Sequence, residues 1–157
     1  MTPDPRRRLS SLSVRPVAPA DDGVWLWLRG ALWPGSPDDH RREIAEYFQS
    51  PPMASVCLIA ELPAVGVVGF TEVGLRAYAE GCRSSPVGYL EGIFVAEPYR
   101  ARGIGRALVE AAEQWARERG CTEMASDREV ENEGSGIFHA AVGYQEVERI
   151  VCFKKPL

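Results

Sequence analysis

The spacing of apolar residues in the first third of the chain predicts one short strand followed by two helices. Residues 13–17 alternate between polar and apolar side chains, which is typical of a strand. From Trp25 to Trp33, apolar residues recur at three- and four-residue spacing and predict a helix with one apolar face. Ile44, Tyr47 and Phe48 form the apolar face of a second predicted helix, which the prolines at 51 and 52 end.

The middle of the chain predicts three strands and then a long amphipathic helix. Residues 55–61 and 65–75 are rich in β-branched and apolar side chains and flank a turn, so they predict a hairpin. Residues 87–95 predict the next strand. Residues 104–119 place apolar side chains on one side and charged side chains on the other, which predicts a helix that Gly120 ends.

The last third of the chain predicts a short strand, a helix and a final strand. These elements cover residues 123–126, 133–142 and 144–154. The complete order is β-α-α-β-β-β-α-β-α-β, which indicates an α+β fold with a parallel crossover around the long helix.

The length of 157 residues indicates one domain, which we assign to residues 13–157 after a flexible leader at 1–12. No apolar run approaches the roughly 20 residues of a membrane span, so we expect no membrane association. The formal net charge of −4 does not favour nucleic acid as a partner. The arginines at 6–8 are followed by no apolar signal core, and we therefore expect a cytoplasmic protein.

Cysteine and histidine usage argues against a metal site. The four cysteines form no CxxC pair, and there are only two histidines, so we expect no metal cofactor and reduced thiols. The sequence also contains no GxSxG motif, which argues against a serine hydrolase.

The segment 100–106 (RARGIGR), between a predicted strand and the long helix, carries the chemistry of an anion site. Gly103 and Gly105 allow a tight turn that brings backbone N–H groups close to a ligand. The positive end of the helix dipole points to the same place, and Arg100, Arg102 and Arg106 add cationic donors. Such a site suits a pyrophosphate, although a glycine turn of this kind also occurs for packing alone.

Residues 95–108 resemble the acetyl-CoA loop of the GNAT superfamily of N-acetyltransferases. Asn132, Phe138-His139 and Gly143-Tyr144 resemble a second motif of that family. The resemblance covers residues 14–154 and implies a mixed, mostly antiparallel central sheet flanked by helices, with acetyl-CoA as co-substrate. It implies that acetyl-CoA contacts the following residues: Ile93, Phe94, Val95, Arg100, Arg102, Gly103, Ile104, Gly105, Arg106, Ala107, Asn132 and His139.

Two side chains are candidates for the proton transfers that acetylation of an amine requires. Glu91 is the carboxylate in the strand before the loop, where the resemblance implies a general base acting directly or through water. It can instead bind a cationic substrate or a neighbouring strand. His139 stands where the family usually has a tyrosine acid, so it either protonates the leaving thiolate or hydrogen-bonds CoA or a backbone carbonyl. No cysteine lies in an evident nucleophile motif, which favours direct transfer, and only Cys82 merits attention.

Acidic residues crowd the segments expected to face the acceptor. Glu72, Glu80 and Asp127 belong to this set, which suits a polycationic ligand or else forms a solvated acidic surface. Five segments spread over the chain resemble the aminoglycoside 6′-N-acetyltransferases, a subgroup of GNAT enzymes. They are residues 31–34, 78–82, 85–93, 125–127 and 143–146. The resemblance implies that Trp33, Tyr78, Asp127 and Glu148 line an aminoglycoside pocket, with Asp127 also orienting the reactive amine or its water. Core packing is the alternative for Trp33 and Tyr78.

Two residues depart from the subgroup's pattern, and two other functions stay open. Arg83 stands where relatives often carry an acid, and Cys152 replaces an aromatic residue in the terminal strand. The alternatives are a GNAT enzyme acting on another small polyamine, amino sugar or peptide amine, and a non-catalytic acetyl-CoA-binding module.

We also predict a homodimer. Residues 150–153 are apolar and could pair with a second copy, and the resemblance to the subgroup implies a dimer because its members are often dimeric.

Overall fold

The computed structural model describes residues 11–157, and the predicted leader lies outside the described residues except for its last two positions. Leu12, at the end of that segment, packs against a core cluster that includes Ala60 and Leu108. The strands are β1 (Ser13–Pro16), β2 (Ser55–Leu62), β3 (Gly66–Arg76), β4 (Val87–Val95) and β5 (Met124–Ser126). The helices are α1 (Asp22–Leu32), α2 (Pro37–Gln49), α3 (Ile104–Arg117) and α4 (Glu133–Ala141).

The five strands form one mixed sheet in the order β1-β2-β3-β4-β5. The first four strands run antiparallel to their neighbours, whereas β5 runs parallel to β4 after the crossover through α3. The predicted α+β architecture and its single parallel crossover are therefore confirmed. The predicted hairpin is β2-β3, and Gly66 closes its turn with a φ of +97° that favours glycine.

Helices cover both faces of the sheet. On one face, α3 buries Leu108, Val109 and Ala112 against β2, β3 and β4. On the other face, α1 and α2 bury Trp25 and Ile44 against the strands that carry Ile59 and Phe70. The apolar stripes that predict these helices are thus their buried faces. Within residues 11–157, none of the helices has the length and apolar composition that a membrane span requires.

The predicted final strand, residues 144–154, is not a strand in this structure. No strand is assigned after Ser126, and Val147, Ile150, Val151 and Phe153 are exposed. A strand is defined by hydrogen bonds to a partner, and the sequence pattern does not indicate where that partner lies. The prediction was wrong for the single chain because this segment passes over Gly81 and borders a cleft, without pairing with a strand of the described sheet.

Candidate active site

Strands β4 and β5 separate beyond their third residue pair and leave an open edge. The parallel pairing joins Gly88, Tyr89 and Leu90 to residues 124–126 and stops there. The rest of β4, through Ile93 and Val95, pairs with β3 alone. Backbone N–H and C=O groups on the other edge of this segment are therefore available to a ligand. Ile93, Phe94 and Val95, predicted to contact acetyl-CoA, all lie on this open part of β4.

The turn that follows β4 leads directly into the amino terminus of α3. Gly103 caps the helix with a φ of +81°, and Ala101 has a φ of +57°. The Ala107 N–H donates to the Gly103 carbonyl at 3.0 Å, so the N–H groups of residues 104–106 precede the first intrahelical bond. Three free donors and the helix dipole converge at this end, which forms an anion site.

The three arginines of this loop have partners within the protein. Arg100 donates from Nε to the Val95 carbonyl at 2.8 Å, and Arg106 donates to the Ala141 carbonyl at 2.6 Å. Arg102 lies over the Tyr99 ring at 5.8 Å. Arg100 thus stabilises the turn, and Arg106 joins α3 to α4. Because these side chains already bond to carbonyls of the protein, the main anion donors of the loop are its backbone N–H groups.

Helix α4 brings His139 to the end of β5. Asn132 caps this helix by accepting from the Ser135 N–H at 3.1 Å. His139 Nδ1 lies 2.7 Å from the Ser135 carbonyl, which only accepts, so Nδ1 carries a proton. Nε2 lies 2.9 Å from Ser126 Oγ, and that hydroxyl also reaches the Leu90 carbonyl at 3.1 Å.

The contact of His139 with Ser126 is compatible with either role of Nε2. In the neutral ring, Nε2 accepts from the Ser126 hydroxyl, which then has no proton left to donate to the Leu90 carbonyl. In the cationic ring, Nε2–H donates to Ser126 Oγ, and the hydroxyl then donates to the Leu90 carbonyl. The backbone-carbonyl partner considered for His139 is present as the Ser135 carbonyl.

Glu91 is the extra residue of a β-bulge in β4. Val73 pairs with Leu90 and Glu72 pairs with Gly92, so Glu91 has no opposite residue on β3. An unbroken register would have placed Glu72 directly opposite Glu91, and two like charges in that position are destabilising. The bulge separates the two carboxylates and turns Glu91 toward the carboxyl end of β3.

A chain of side chains connects Glu91 with Asp127. Arg76 donates to Glu91 from Nε at 3.1 Å and from Nη2 at 2.6 Å, and its guanidinium lies 3.4 Å from the centre of the Tyr89 ring. The Tyr89 hydroxyl donates to Asp127 Oδ2 at 2.9 Å. Burial, together with this bond to Asp127, raises the pKa of Tyr89, which therefore stays a donor at neutral pH. The neighbouring-strand contact considered for Glu91 is present as the Arg76 pair.

Glu72 lies on the face of the sheet that α1 and α2 cover, in a small inner cavity of about 370 Å³. It accepts from Trp25 Nε1 at 2.9 Å and lies 3.3 Å from Arg29 Nη1. Burial raises the pKa of Glu72, while Arg29 and Trp25 oppose that shift. Arg29 also bonds Glu43, so the Glu72 carboxylate is already matched by a cation of the protein. Glu91 lines the same cavity.

A larger outer cleft of about 1390 Å³ lies between the sheet and the C-terminal segment, residues 144–157. Arg76 and Tyr89 line it together with four of the predicted site residues, which are Glu80, Asp127, His139 and Glu148. Its lining holds seven carboxylates and four arginines, so the cleft is acidic on balance, and it reaches Ser126, the last residue of β5 that pairs with β4. This cleft is the candidate acceptor site.

The two predicted aromatic contacts lie apart from the residues that line the outer cleft. Trp33 is half-buried at the end of α1 and packs across β4, where a Cβ at Gly92 would lie 2.3 Å from the indole. Its ring also packs edge-on against that of Phe70, with 6.0 Å between the ring centres, so at least one role of Trp33 is packing. Tyr78 is 67% exposed, just beyond β3, and its ring is free to meet a ligand.

Sequence reasoning assigned no role to Arg76, Tyr89 or Ser126. The predicted strand 65–75 stops one residue before Arg76, and only the bulge at Glu91 brings the Arg76 and Glu91 side chains together. Ser126 and His139 are 13 residues apart and meet because α4 folds back on β5. No local signal in the sequence could have identified these pairs.

Cys82, the one cysteine considered as a nucleophile, is in an unfavourable environment for that role. Burial and the neighbouring Glu123 raise the pKa of its thiol, which disfavours the thiolate that would attack a thioester. Cys57 is buried in the core beneath α1, and burial raises its pKa as well. These environments agree with transfer directly between two bound substrates.

Comparison with known proteins identifies the family. The Acetyltransferase (GNAT) family profile matches residues 23–144. An aminoglycoside N(6′)-acetyltransferase type 1 of Klebsiella aerogenes is 46% identical over 94% of this chain and 99% of its own length. The crystal structure of an aminoglycoside 6′-N-acetyltransferase from Acinetobacter baumannii superimposes with a TM-score of 0.87, at 36% identity over 93% of this chain and 99% of that one.

A second solved structure carries information on ligands. It is AAC(6′)-Iy in complex with the bisubstrate analogue CoA-S-monomethyl-acetylneamine, and it matches with a TM-score of 0.86 at 37% identity, over 93% of this chain and 99% of that one. The fold, the family profile and the full-length relatives agree. The chain belongs to the GNAT acetyltransferase family and, within it, is similar to the aminoglycoside 6′-N-acetyltransferases.

Proposed function

We propose that this protein transfers the acetyl group of acetyl-CoA to the 6′-amino group of aminoglycoside antibiotics, by direct attack within a ternary complex. The observation that carries the proposal is the outer cleft, whose lining holds Glu80, Asp127 and Glu148 and reaches Ser126, where the pairing of β4 with β5 ends. Several carboxylates at close range attract a ligand that bears several ammonium groups. The names of the full-length relatives support the same acceptor class.

Acetyl-CoA fits the loop and the strand edge. The N–H groups of residues 104–106 bind its pyrophosphate at the start of α3, and a left-handed Gly103 keeps them accessible. The open edge of β4 at residues 93–95 aligns the pantetheine arm by backbone hydrogen bonds. Ala107, in the first turn of α3, and Asn132, which caps α4, complete the set of residues that we assign to acetyl-CoA.

The chemistry requires a neutral amine, a held thioester and a proton for the leaving thiolate. Glu91 accepts a proton from the acceptor ammonium through water, and the free amine then forms the C–N bond as the C–S bond breaks. His139 supplies a proton to the CoA thiolate, with Ser126 completing its hydrogen bonds in either charge state. Asp127 and Glu148 bind ammonium groups, and Tyr78 contacts the sugar rings.

A panel of acceptors tests the assignment. CoA thiol release is measured with 6′-amino aminoglycosides, with an analogue that carries a 6′-hydroxyl, with spermidine and with a lysine peptide. Turnover of the 6′-amino drugs and none of the 6′-hydroxyl analogue is the expected result. Turnover of spermidine or the peptide alone would replace the acceptor class, and binding of acetyl-CoA without any turnover would favour a non-catalytic module.

We also propose that the enzyme is a homodimer in which the C-terminal segment pairs as a strand with a second copy. Val151 and Phe153 are 79% and 93% exposed in the single chain, although residues 144–154 have the pattern of a strand. Pairing would provide hydrogen-bond partners for their backbone N–H and C=O groups and cover their side chains.

We further propose that the enzyme is cytoplasmic, because its four cysteines are free thiols and its co-substrate is acetyl-CoA.

Light scattering tests the dimer. We expect a mass of two chains for the wild type and a shift toward one chain in Phe153→Asp, because a buried carboxylate opposes the apolar contact. Met53→Asp is the matched control, since Met53 is 92% exposed elsewhere on the molecule and its substitution leaves the mass unchanged. A wild-type monomer at high concentration would exclude the dimer.

A further inference from the structure

The Arg76–Glu91 pair is an unexpected feature of a site that binds a polycation. The guanidinium makes two hydrogen bonds to one carboxylate, at 3.1 and 2.6 Å, which is the two-point geometry in which arginine is most strongly oriented. Its face lies on the Tyr89 ring at 3.4 Å. Arg76 is thus fixed by both its edge and its face, although it lies at the end of a strand.

The backbone is shaped to make this pair. The bulge places Glu91 outside the regular register, and Gly74 leaves the space through which its side chain crosses β3. A Cβ at Gly74 would lie 3.2 Å from Glu91 Oε1, closer than ordinary van der Waals contact. The absence of a side chain at Gly74 and the bulge at Glu91 therefore both direct the Glu91 carboxylate toward Arg76.

The pair also lies where the two cavities approach each other. Arg76 lines the outer cleft, Glu91 lines the inner cavity, and the two side chains are hydrogen-bonded to one another. An acceptor ammonium that approaches Glu91 from the outer cleft therefore meets a cation first. Arg76 already holds one hydrogen-bonding position on each oxygen of Glu91, so the two-point position on this carboxylate is closed to an ammonium.

We propose that Arg76 is a positioning residue that occupies the ammonium position at Glu91, so that Glu91 receives a proton through water instead of binding the acceptor as a cation. This proposal rests on the proposed function, in which Glu91 is the base. One proton passes from the ammonium to water and from water to the carboxylate, which frees the lone pair for attack. The C–N bond then forms as the C–S bond breaks, and the second N–H proton ends on the CoA thiolate.

The kinetic consequence follows from the difference between ground-state and transition-state binding. Without Arg76, Glu91 is free to form an ion pair with the ammonium, and that contact stabilises the bound ammonium rather than the reacting amine. The acceptor therefore binds more tightly and reacts more slowly. A merely structural role for Arg76 would not lower KM.

The test compares Arg76→Gln with Arg76→Lys and with a matched control, Arg41→Gln, which removes an exposed arginine paired with Asp38 on α2. For Arg76→Gln we expect acceptor kcat to fall about tenfold and acceptor KM to fall about threefold, the effect of one charged hydrogen bond. Arg76→Lys should retain part of kcat, because an ammonium keeps the charge but not the two-point geometry. The KM for acetyl-CoA and the kinetics of Arg41→Gln should be unchanged.

Gly74→Ala provides a second variant that keeps the charge of Arg76. Its Cβ presses on Glu91 Oε1, so it should lower kcat and KM in the same direction by a smaller factor. Arg76→Gln enzyme with unchanged kcat and KM, or with a raised KM and unchanged kcat, overturns the proposal. Glu91→Gln separates the hypothesis that Glu91 is the base from the hypothesis that Arg76 positions it. If its kcat is normal, the base assignment itself fails, and if it is impaired while Arg76→Gln is normal, only the role of Arg76 fails.

Discussion

The acetyl-CoA half of the site and the acceptor half are built from different parts of the polypeptide. At the start of α3 the ligand groups are backbone N–H donors, and the side chains of Arg100 and Arg106 bond to carbonyls of the protein itself. In the proposed acceptor half the ligand groups are side chains: Asp127, in the outer cleft, accepts from Tyr89, and Glu91, in the inner cavity, accepts from Arg76. One half depends on the path of the main chain and the other on side-chain charge.

This difference determines which substitutions each half tolerates. A backbone site tolerates changes of side chain but not the loss of a glycine that allows a left-handed turn. A carboxylate site tolerates small changes in backbone strain but not the loss of charge. The two halves should therefore respond separately to substitution, each with an effect on its own substrate.

Asp127→Ala should have the largest effect. It removes the proposed ammonium partner, which accepts from the Tyr89 hydroxyl at 2.9 Å, and leaves that hydroxyl without its acceptor. We expect acceptor kcat/KM to fall about 100-fold, the upper range for a hydrogen bond to a charged group, with acetyl-CoA binding unchanged. Steady-state kinetics at saturating acetyl-CoA measure the first quantity, and calorimetric titration measures the second.

Glu129→Ala is the matched control for Asp127→Ala. Glu129 is an exposed acid two residues away, and it does not line the outer cleft. Its loss lowers the charge of the region by the same amount without removing the contact to Tyr89. Equal effects of the two variants would mean that Asp127 acts only through the general field of the acidic cleft.

Gly103→Val should affect the other half by a smaller factor. A β-branched residue at a φ of +81° is strained by about 1–2 kcal/mol, and relief of that strain turns the N–H groups of α3 away from the pyrophosphate. We expect acetyl-CoA affinity to fall about tenfold, with acceptor KM unchanged at saturating acetyl-CoA.

Gly66→Val provides the comparison for strain alone. Gly66 has a φ of +97° in the β2-β3 turn, and a Cβ at either glycine would meet no atom within 4 Å. Both variants should lose stability in thermal denaturation, but only Gly103→Val should weaken acetyl-CoA binding. Weakened binding in both would indicate a global effect and remove the special role of the loop.

The backbone half is the more predictable from sequence. The turn before α3 is local, since Gly103, Gly105 and the apolar stripe of the helix are contiguous and each has a separate physical reason to be there. The strands and helices are predictable for the same reason, because a period of two or of 3.6 is visible within a single segment.

The acceptor half depends on contacts that no single segment shows. The register of β3 and β4 changes by one residue at Glu91, and that change creates the pair with Arg76. The C-terminal segment has the pattern of a strand but pairs with no strand within residues 11–157. In both cases the sequence indicates which residues are suited to a role, while the pairing depends on distant backbone.

Tyr89→Phe should give the smallest effect on the acceptor half. It removes the hydroxyl that donates to Asp127 but keeps the ring on which Arg76 stacks. We expect acceptor kcat/KM to fall about threefold, as for one ordinary hydrogen bond, with Asp127 still charged. A loss as large as that of Asp127→Ala would mean that the hydroxyl itself contacts the acceptor.

The same substitution should change the alkaline stability of the protein. The folded pKa of Tyr89 is raised above its ordinary value near 10, chiefly by burial and then by the bond to Asp127. Above pH 10 the unfolded chain therefore loses this proton while the folded chain keeps it, and the free energy of unfolding falls by at most about 1.4 kcal/mol per pH unit. Denaturant unfolding from pH 9 to 11 should show a shallower fall for Tyr89→Phe. Tyr144 and Cys57, whose pKa values burial also raises, keep part of the slope in both proteins. Identical slopes would mean that the Tyr89 phenol ionises as easily in the folded protein as in the unfolded chain, and that its bond to Asp127 is not maintained in solution.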